Sequence, residues 1–148
     1  MEKSKIHNKE YSLKYHNKRV ALSREFTFDS AHKLLDYEGK CAKLHGHTYK
    51  IIITLSGFLK DNGMLIDFND IKKIYEKAVN TKLDHEYLNE VLHFMNPTAE
   101  NMIVWIWEQI EQELLNITDD YNSVRLEKLC LYETPTSYAI ITRDWMDQ

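Results

Sequence analysis

The stretch Cys41-Ala-Lys-Leu-His45-Gly-His47 brings one thiol and two imidazoles into seven positions. Donors of these types, this close together, are suited to a borderline metal ion such as zinc. If all three bind one ion, the site is closed and structural. If only the histidines bind, the thiol is free to act as a base or nucleophile.

In an extended chain alternate side chains share a face, so His45 and His47 point the same way and Gly46 points the other. Gly46 also allows other groups to approach closely. A third nitrogen is available from His32, at the end of Phe28-Asp29-Ser30-Ala31-His32, if the strands carrying these segments pair. Three imidazoles leave one tetrahedral position open, which is the pattern of catalytic zinc, whereas magnesium and calcium prefer oxygen. Against this stands the plain reading of His-x-His as hydrogen-bonded surface residues. His7, His16 and His93 have no such company and receive no role.

Cys41 has two readings, a small buried hydrophobe or a thiolate favoured by a neighbouring metal. Cys130, between Leu129 and Leu131, reads as core. Asp84 and His85 are adjacent, and a carboxylate beside an imidazole can orient it for proton transfer. Glu133 stands at the end of a predicted strand, where a solvated carboxylate is the plain reading. Glu100 is explained by the positive end of a helix.

The elements that position these groups follow from periodicity. Residues 20–28 alternate as a strand, and 48–57, with its β-branched run, is the strongest strand in the chain. Asp61-Asn62-Gly63 signals a turn, with 64–68 expected to return as a strand. A helix capped near Asp67 or Asn69 should run to about Asn80. A second should begin after Pro97 with Thr98 as its cap, burying Ile103, Ile106, Trp107, Ile110 and Leu114. Residues 124–133 and 138–143 form a last strand pair around Thr134-Pro135-Thr136. The order implies an α+β domain, with a largely antiparallel four-stranded sheet carrying two helices on one face.

The chain has 148 residues, 43% hydrophobic and 28% charged, which suits one domain with a real core. Residues 1–19 are polar and basic and read as a loose extension before the domain at 20–148. The net charge of −4 argues against nucleic acid as a partner. No apolar run approaches the ~20 residues that span a bilayer. With two cysteines and no signal-peptide pattern, the expected setting is the reducing cytoplasm.

Taken in order, FDSAH, C-x3-HGH, GMLIDF, LDHEYLN, NPTAEN and YET resemble the 6-pyruvoyl-tetrahydropterin synthase superfamily over about residues 26–143. The three-residue gap between Cys41 and His45 resembles the branch that makes 6-carboxy-5,6,7,8-tetrahydropterin in the queuosine pathway. The resemblance implies the T-fold, with subunits closing their sheets into a barrel as a homo-oligomer, commonly a hexamer built as a dimer of trimers. It implies zinc on His32, His45 and His47, Cys41 as catalytic base, and Asp84 and His85 as a proton relay that a neighbouring chain can supply. Glu133 would anchor the pterin through its guanidine-like edge. The implied activity is a lyase that converts 7,8-dihydroneopterin triphosphate into the 6-carboxy pterin, acetaldehyde and triphosphate. Lys33, Lys43 and Arg24 are candidates for the triphosphate, with nothing to select among them. The rivals are the pyruvoyl-forming and folate-pathway reactions of the same superfamily, and a zinc- or pterin-binding protein without turnover.

Overall fold

The computed structural model describes residues 3–6, 9–12, 16–117 and 123–148. Strands β1 (Lys3–Ile6) and β2 (Lys9–Ser12) pair antiparallel as a separate two-stranded ribbon. The main sheet is built on β3 (Arg19–His32) and β4 (His45–Phe58), which pair antiparallel over their whole length, from Arg19 opposite Phe58 to His32 opposite His45. The run Ile51-Ile52-Ile53-Thr54 gives β4 its strand preference, because β-branched side chains pack well on a pleated surface.

Helix α1 (Phe68–Tyr75) starts where the Asp67 side chain accepts from the Asn69 N–H, and it continues through a wider π-helical turn over Glu76–Asn80. Short helices α2 (Thr81–Leu83) and α3 (Leu88–Val91) flank β5 (Glu86–Tyr87). Helix α4 (Ala99–Leu115) is capped by Thr98, whose side chain accepts from Asn101 N–H, as expected from the sequence. Strands β6 (Arg125–Thr134) and β7 (Ser137–Thr142) close the sheet, and α5 (Arg143–Met146) follows.

The sheet order is β5-β3-β4-β6-β7, so five strands replace the expected four. The added one, β5, is two residues long and lies parallel to Ser30 and Ala31 of β3. A segment this short has no periodicity to read. The expected return strand at 64–68 also does not form. Lys60 and Met64 close a tight loop instead, and Leu65 and Ile66 are driven into the core. An apolar triplet can serve as strand or as core plug, and alternation alone does not separate the two.

The core lies between one face of the sheet and α1 and α4. Phe28, Tyr49, Ile51, Ile53, Leu55, Leu129 and Leu131 meet Ile71, Ala78, Met102, Ile106 and Ile110 there. Each large side chain buried in this way contributes about 1.5–3 kcal/mol. Cys130 is buried as expected. The other face of the sheet carries Glu25, Thr27, Asp29, Thr48 and Lys128, all exposed. Among the described residues no helix is long and apolar enough to cross a membrane.

Candidate active site

The buried stripe of the sheet ends in histidines. Phe28 lies opposite Tyr49, Ser30 opposite His47, and His32 opposite His45, so all three imidazoles extend the core-facing side of β3 and β4 beyond the last apolar pair. His32 is fully buried. The three rings pack edge to face with centroids 4.6, 5.0 and 4.7 Å apart.

Hydrogen bonding assigns the tautomers. His32 Nδ1 lies 2.8 Å from the Pro97 carbonyl, and His45 Nδ1 lies 2.7 Å from the Lys43 carbonyl. A carbonyl only accepts, so each Nδ1 carries the proton and each Nε2 presents a lone pair. Those two Nε2 atoms nevertheless face one another at 3.0 Å. The third, His47 Nε2, is buried without a hydrogen-bond partner. Two lone pairs aimed together and a buried ring nitrogen without a hydrogen bond beside them are costly unless a cation sits between them. Zinc–nitrogen bonds of about 2.0–2.1 Å place neighbouring ligands about 3.3 Å apart in a tetrahedron, close to the observed spacing. The three histidines therefore fit a zinc ion by donor chemistry and by geometry. Burial lowers the pKa of His32 and of His47, which keeps both neutral and able to coordinate. The Tyr49 hydroxyl, 3.3 Å from His32 Nδ1, supports that ring from behind.

Cys41 sits on a single 3-10 turn (Lys40–Ala42) in the β3–β4 connection, half-buried, with its carbonyl accepting from Leu34 N–H at 2.8 Å. The group of ligand atoms lying within 4.8 Å of one another comprises the three histidines and leaves the thiol out. Glu133, on β6, comes to the cluster instead, with its carboxylate oxygens 3.6 Å from His47 Nε2 and 4.0 Å from His32 Nε2.

Asp84 and His85 follow α2. His85 Nδ1 meets Asp84 Oδ2 at 2.9 Å, and the other Asp84 oxygen accepts from Asp29 N–H at 3.0 Å. That backbone bond and the His85 contact hold the Asp84 pKa below its usual range, while the Asp84 carboxylate raises that of His85. His85 has a left-handed backbone (φ 55°), unusual outside glycine, and its N–H donates to the Asp29 carbonyl at 2.6 Å. Two depressions meet at Gly46, His47 and Thr48. One, of about 580 Å³, is bounded by Asp29, His85 and Glu86, and the other, of about 410 Å³, by Lys50, Tyr132 and Glu133.

Of the triphosphate candidates, Arg24 is already bonded to the Phe68 carbonyl at 2.6 Å. The Asp29, Tyr49 and Pro97 contacts were not foreseen from the sequence. Asp29 had one signal, since it stands three positions before His32 and so faces the opposite side of β3.

A profile of the 6-pyruvoyl tetrahydropterin synthase family matches residues 21–144. A Haemophilus influenzae protein named 6-carboxy-5,6,7,8-tetrahydropterin synthase is 31% identical over 134 residues, covering 80% of this chain and 95% of that protein. A Synechocystis protein of the same name is 38% identical over 94 residues, covering 60% of this chain and 73% of its own. A Pyrococcus furiosus protein named dihydroneopterin monophosphate aldolase is 37% identical over 109 residues, covering 72% of this chain and 83% of its own. The fold superposes on Caenorhabditis elegans 6-pyruvoyl tetrahydropterin synthase with a TM-score of 0.72 at 23% identity, over 87% of this chain and 99% of that one. The α+β expectation and its T-fold assignment hold, with the strand count corrected.

Proposed function

Because the chain belongs to the 6-pyruvoyl tetrahydropterin synthase family, we propose that it is a zinc-dependent carbon–carbon lyase of the cytoplasm. With one water consumed, it converts 7,8-dihydroneopterin triphosphate into 6-carboxy-5,6,7,8-tetrahydropterin, acetaldehyde and triphosphate, on the route to queuosine. The observation that carries this reading is the histidine cluster, with two Nε2 lone pairs face to face at 3.0 Å, a buried unpartnered third, and Cys41 outside the group. Zinc held by His32, His45 and His47 supplies a Lewis acid for the hydroxyl oxygens of the substrate side chain.

This chain's own groups do the proton work. The Cys41 thiolate removes a proton from the side chain. His85, with Nδ1 tied to Asp84, carries protons to and from the hydroxyls on Nε2. The catalytic domain is residues 20–148, preceded by the extension at 1–19. It works as a homo-oligomer, a dimer of trimers whose sheets close into barrels. In support, β3 pairs with β5 only at Ser30 and Ala31, and β7 closes the opposite edge, so both edges offer backbone groups to a second copy.

Glu133 has two readings. As pterin anchor it would accept from the guanidine-like edge. Yet two fused rings separate that edge from the carbon bearing the side chain, and Glu133 lies within 4.0 Å of two metal-site nitrogens. Those distances favour a second reading, in which the carboxylate accepts protons beside the metal group while the substrate side chain reacts. Glu133→Gln decides between them, since loss of an anchor weakens pterin binding and loss of a proton acceptor lowers turnover with binding kept.

The overall reading is tested by mass spectrometry of the product from dihydroneopterin triphosphate. The carboxy product with acetaldehyde supports it. A pyruvoyl product, an aldolase product of the kind named for the Pyrococcus furiosus relative, or unchanged substrate replaces it. Cys41→Ala should keep zinc and lose turnover, and His45→Ala should lose both. Zinc loss in Cys41→Ala would make the thiol a ligand.

A further inference from the structure

The Asp84–His85 pair is tied to β3 by its backbone, and the residue that ties it is Asp29. Its N–H donates to Asp84 Oδ1 at 3.0 Å, and its carbonyl accepts from His85 N–H at 2.6 Å. Beside it, Ser30 Oγ donates to the Leu83 carbonyl, and Ser30 and Ala31 pair with Glu86 and Tyr87. These bonds stabilise the left-handed turn at His85, a conformation that costs about 1–3 kcal/mol outside glycine.

None of those contacts uses the Asp29 side chain. That carboxylate is instead fixed by Thr48, whose hydroxyl donates to Asp29 Oδ1 at 2.5 Å across the β3–β4 ladder. Thr48 follows His47 directly, on the opposite face of the same strand. Oδ atoms of Asp29 and Asp84 and a ring nitrogen of His85 all lie within 4.8 Å of one another.

We propose that Asp29 is a positioning residue for the relay: tied to Thr48, its carboxylate joins that of Asp84 in a two-sided clamp on His85. The inference rests on the reading of His85 as proton carrier. The clamp gives the imidazolium two anionic neighbours and fixes the ring relative to the strand that carries the metal ligands. The charged and titratable groups around His85 are Asp84 from the end of α2, Asp29 from β3 and Glu86 from β5, while His47 of β4 borders the same depression with its side chain on the other face of the strand. Electrostatic attraction to Asp29 adds to the larger effect of Asp84 in favouring protonated His85.

The test is the titration of the His85 Cε1–H signal by NMR in the zinc-loaded chain, assigned by its loss in His85→Gln. Asp29→Asn should lower the His85 midpoint. Thr48→Val should lower it in the same direction by a smaller amount, and Thr48→Ser, which keeps the hydroxyl, should restore it. The limb of the kcat–pH profile that reports His85 should move with the midpoint, while KM and zinc content stay unchanged. An unmoved midpoint in Asp29→Asn overturns the proposal, and so does a Thr48→Ser variant that behaves as Thr48→Val. If the midpoints move as stated but the parent chain makes no pterin product, the clamp stands and the reading of function falls.

Discussion

Adding zinc to the metal-stripped protein should raise its melting temperature by roughly 8–16 °C. The stripped protein carries a local cost that the structure makes explicit. Two Nε2 lone pairs oppose each other at 3.0 Å, and His47 Nε2 is a buried ring nitrogen with no hydrogen-bond partner. An unsatisfied buried group costs about 1–3 kcal/mol on its own. A ligand that binds only the folded state adds RT ln(1 + [L]/Kd), about 4.1 kcal/mol at a thousandfold excess over Kd. For a domain near 150 residues each kcal/mol moves Tm by about 2–4 °C, which gives the stated range. Calorimetry on stripped and reconstituted protein, with metal content by elemental analysis, measures it. His47→Ala should keep the fold and lose most of the increment. A stoichiometric zinc load that moves Tm by less than about 2 °C would refute the reasoning, as would an increment that survives in His47→Ala.

The Asp84–His85 pair should stabilise the fold over a defined pH window. The raised His85 pKa gives a contribution that is full below the ordinary 6.5 and is lost as pH rises through the folded value. The lowered Asp84 pKa gives one present above 3.8 and lost as pH falls through its folded value. The difference in urea midpoint between the parent and Asp84→Asn should therefore peak between those limits and shrink on both sides. A methyl group at Gly57 would run into the Leu65 side chain and crowd Ser123, so Gly57→Ala should destabilise by about 1–3 kcal/mol in a denaturant titration. Gly46 contrasts with it, since a Cβ there meets only the Ser30 carbonyl at an ordinary 3.6 Å. Gly46→Ala should keep its Tm and still raise KM, because the added methyl projects where the two depressions meet.

How much of the site could be read from sequence depended on whether a group's position follows from local geometry or from register. His45 and His47 share a face because strand side chains alternate, and that holds for any register. His32 joins them only because a 14-residue antiparallel ladder puts it directly opposite His45, a long-range fact supplied by pairing rather than spacing. The cap residues Asp67 and Thr98 were legible for the opposite reason, since capping involves only the next two or three residues. The segment at 64–68 has the pattern of a strand and does not form one, because Leu65 and Ile66 take their conformation from the hole they fill in the core. β5 is not legible in the sequence, because two residues held by the edge of β3 carry no pattern of their own.

The same alternation that puts the three histidines together also separates them from the Asp84–His85 turn. Residues 28, 30 and 32 of β3, with 45, 47 and 49 of β4, look toward the core and end in the histidine group. Asp29 and Thr48 look the other way and hold the Asp84–His85 turn. A slip of β4 by one residue against β3 would move His45, His47 and Thr48 to the wrong face. The hydrophobic run Tyr49, Ile51, Ile53 and Leu55 forbids that shift, because it would expose four fully buried side chains at about 1.5–3 kcal/mol each. The core of this sheet therefore fixes the register on which both the histidine group and the Asp84–His85 turn depend.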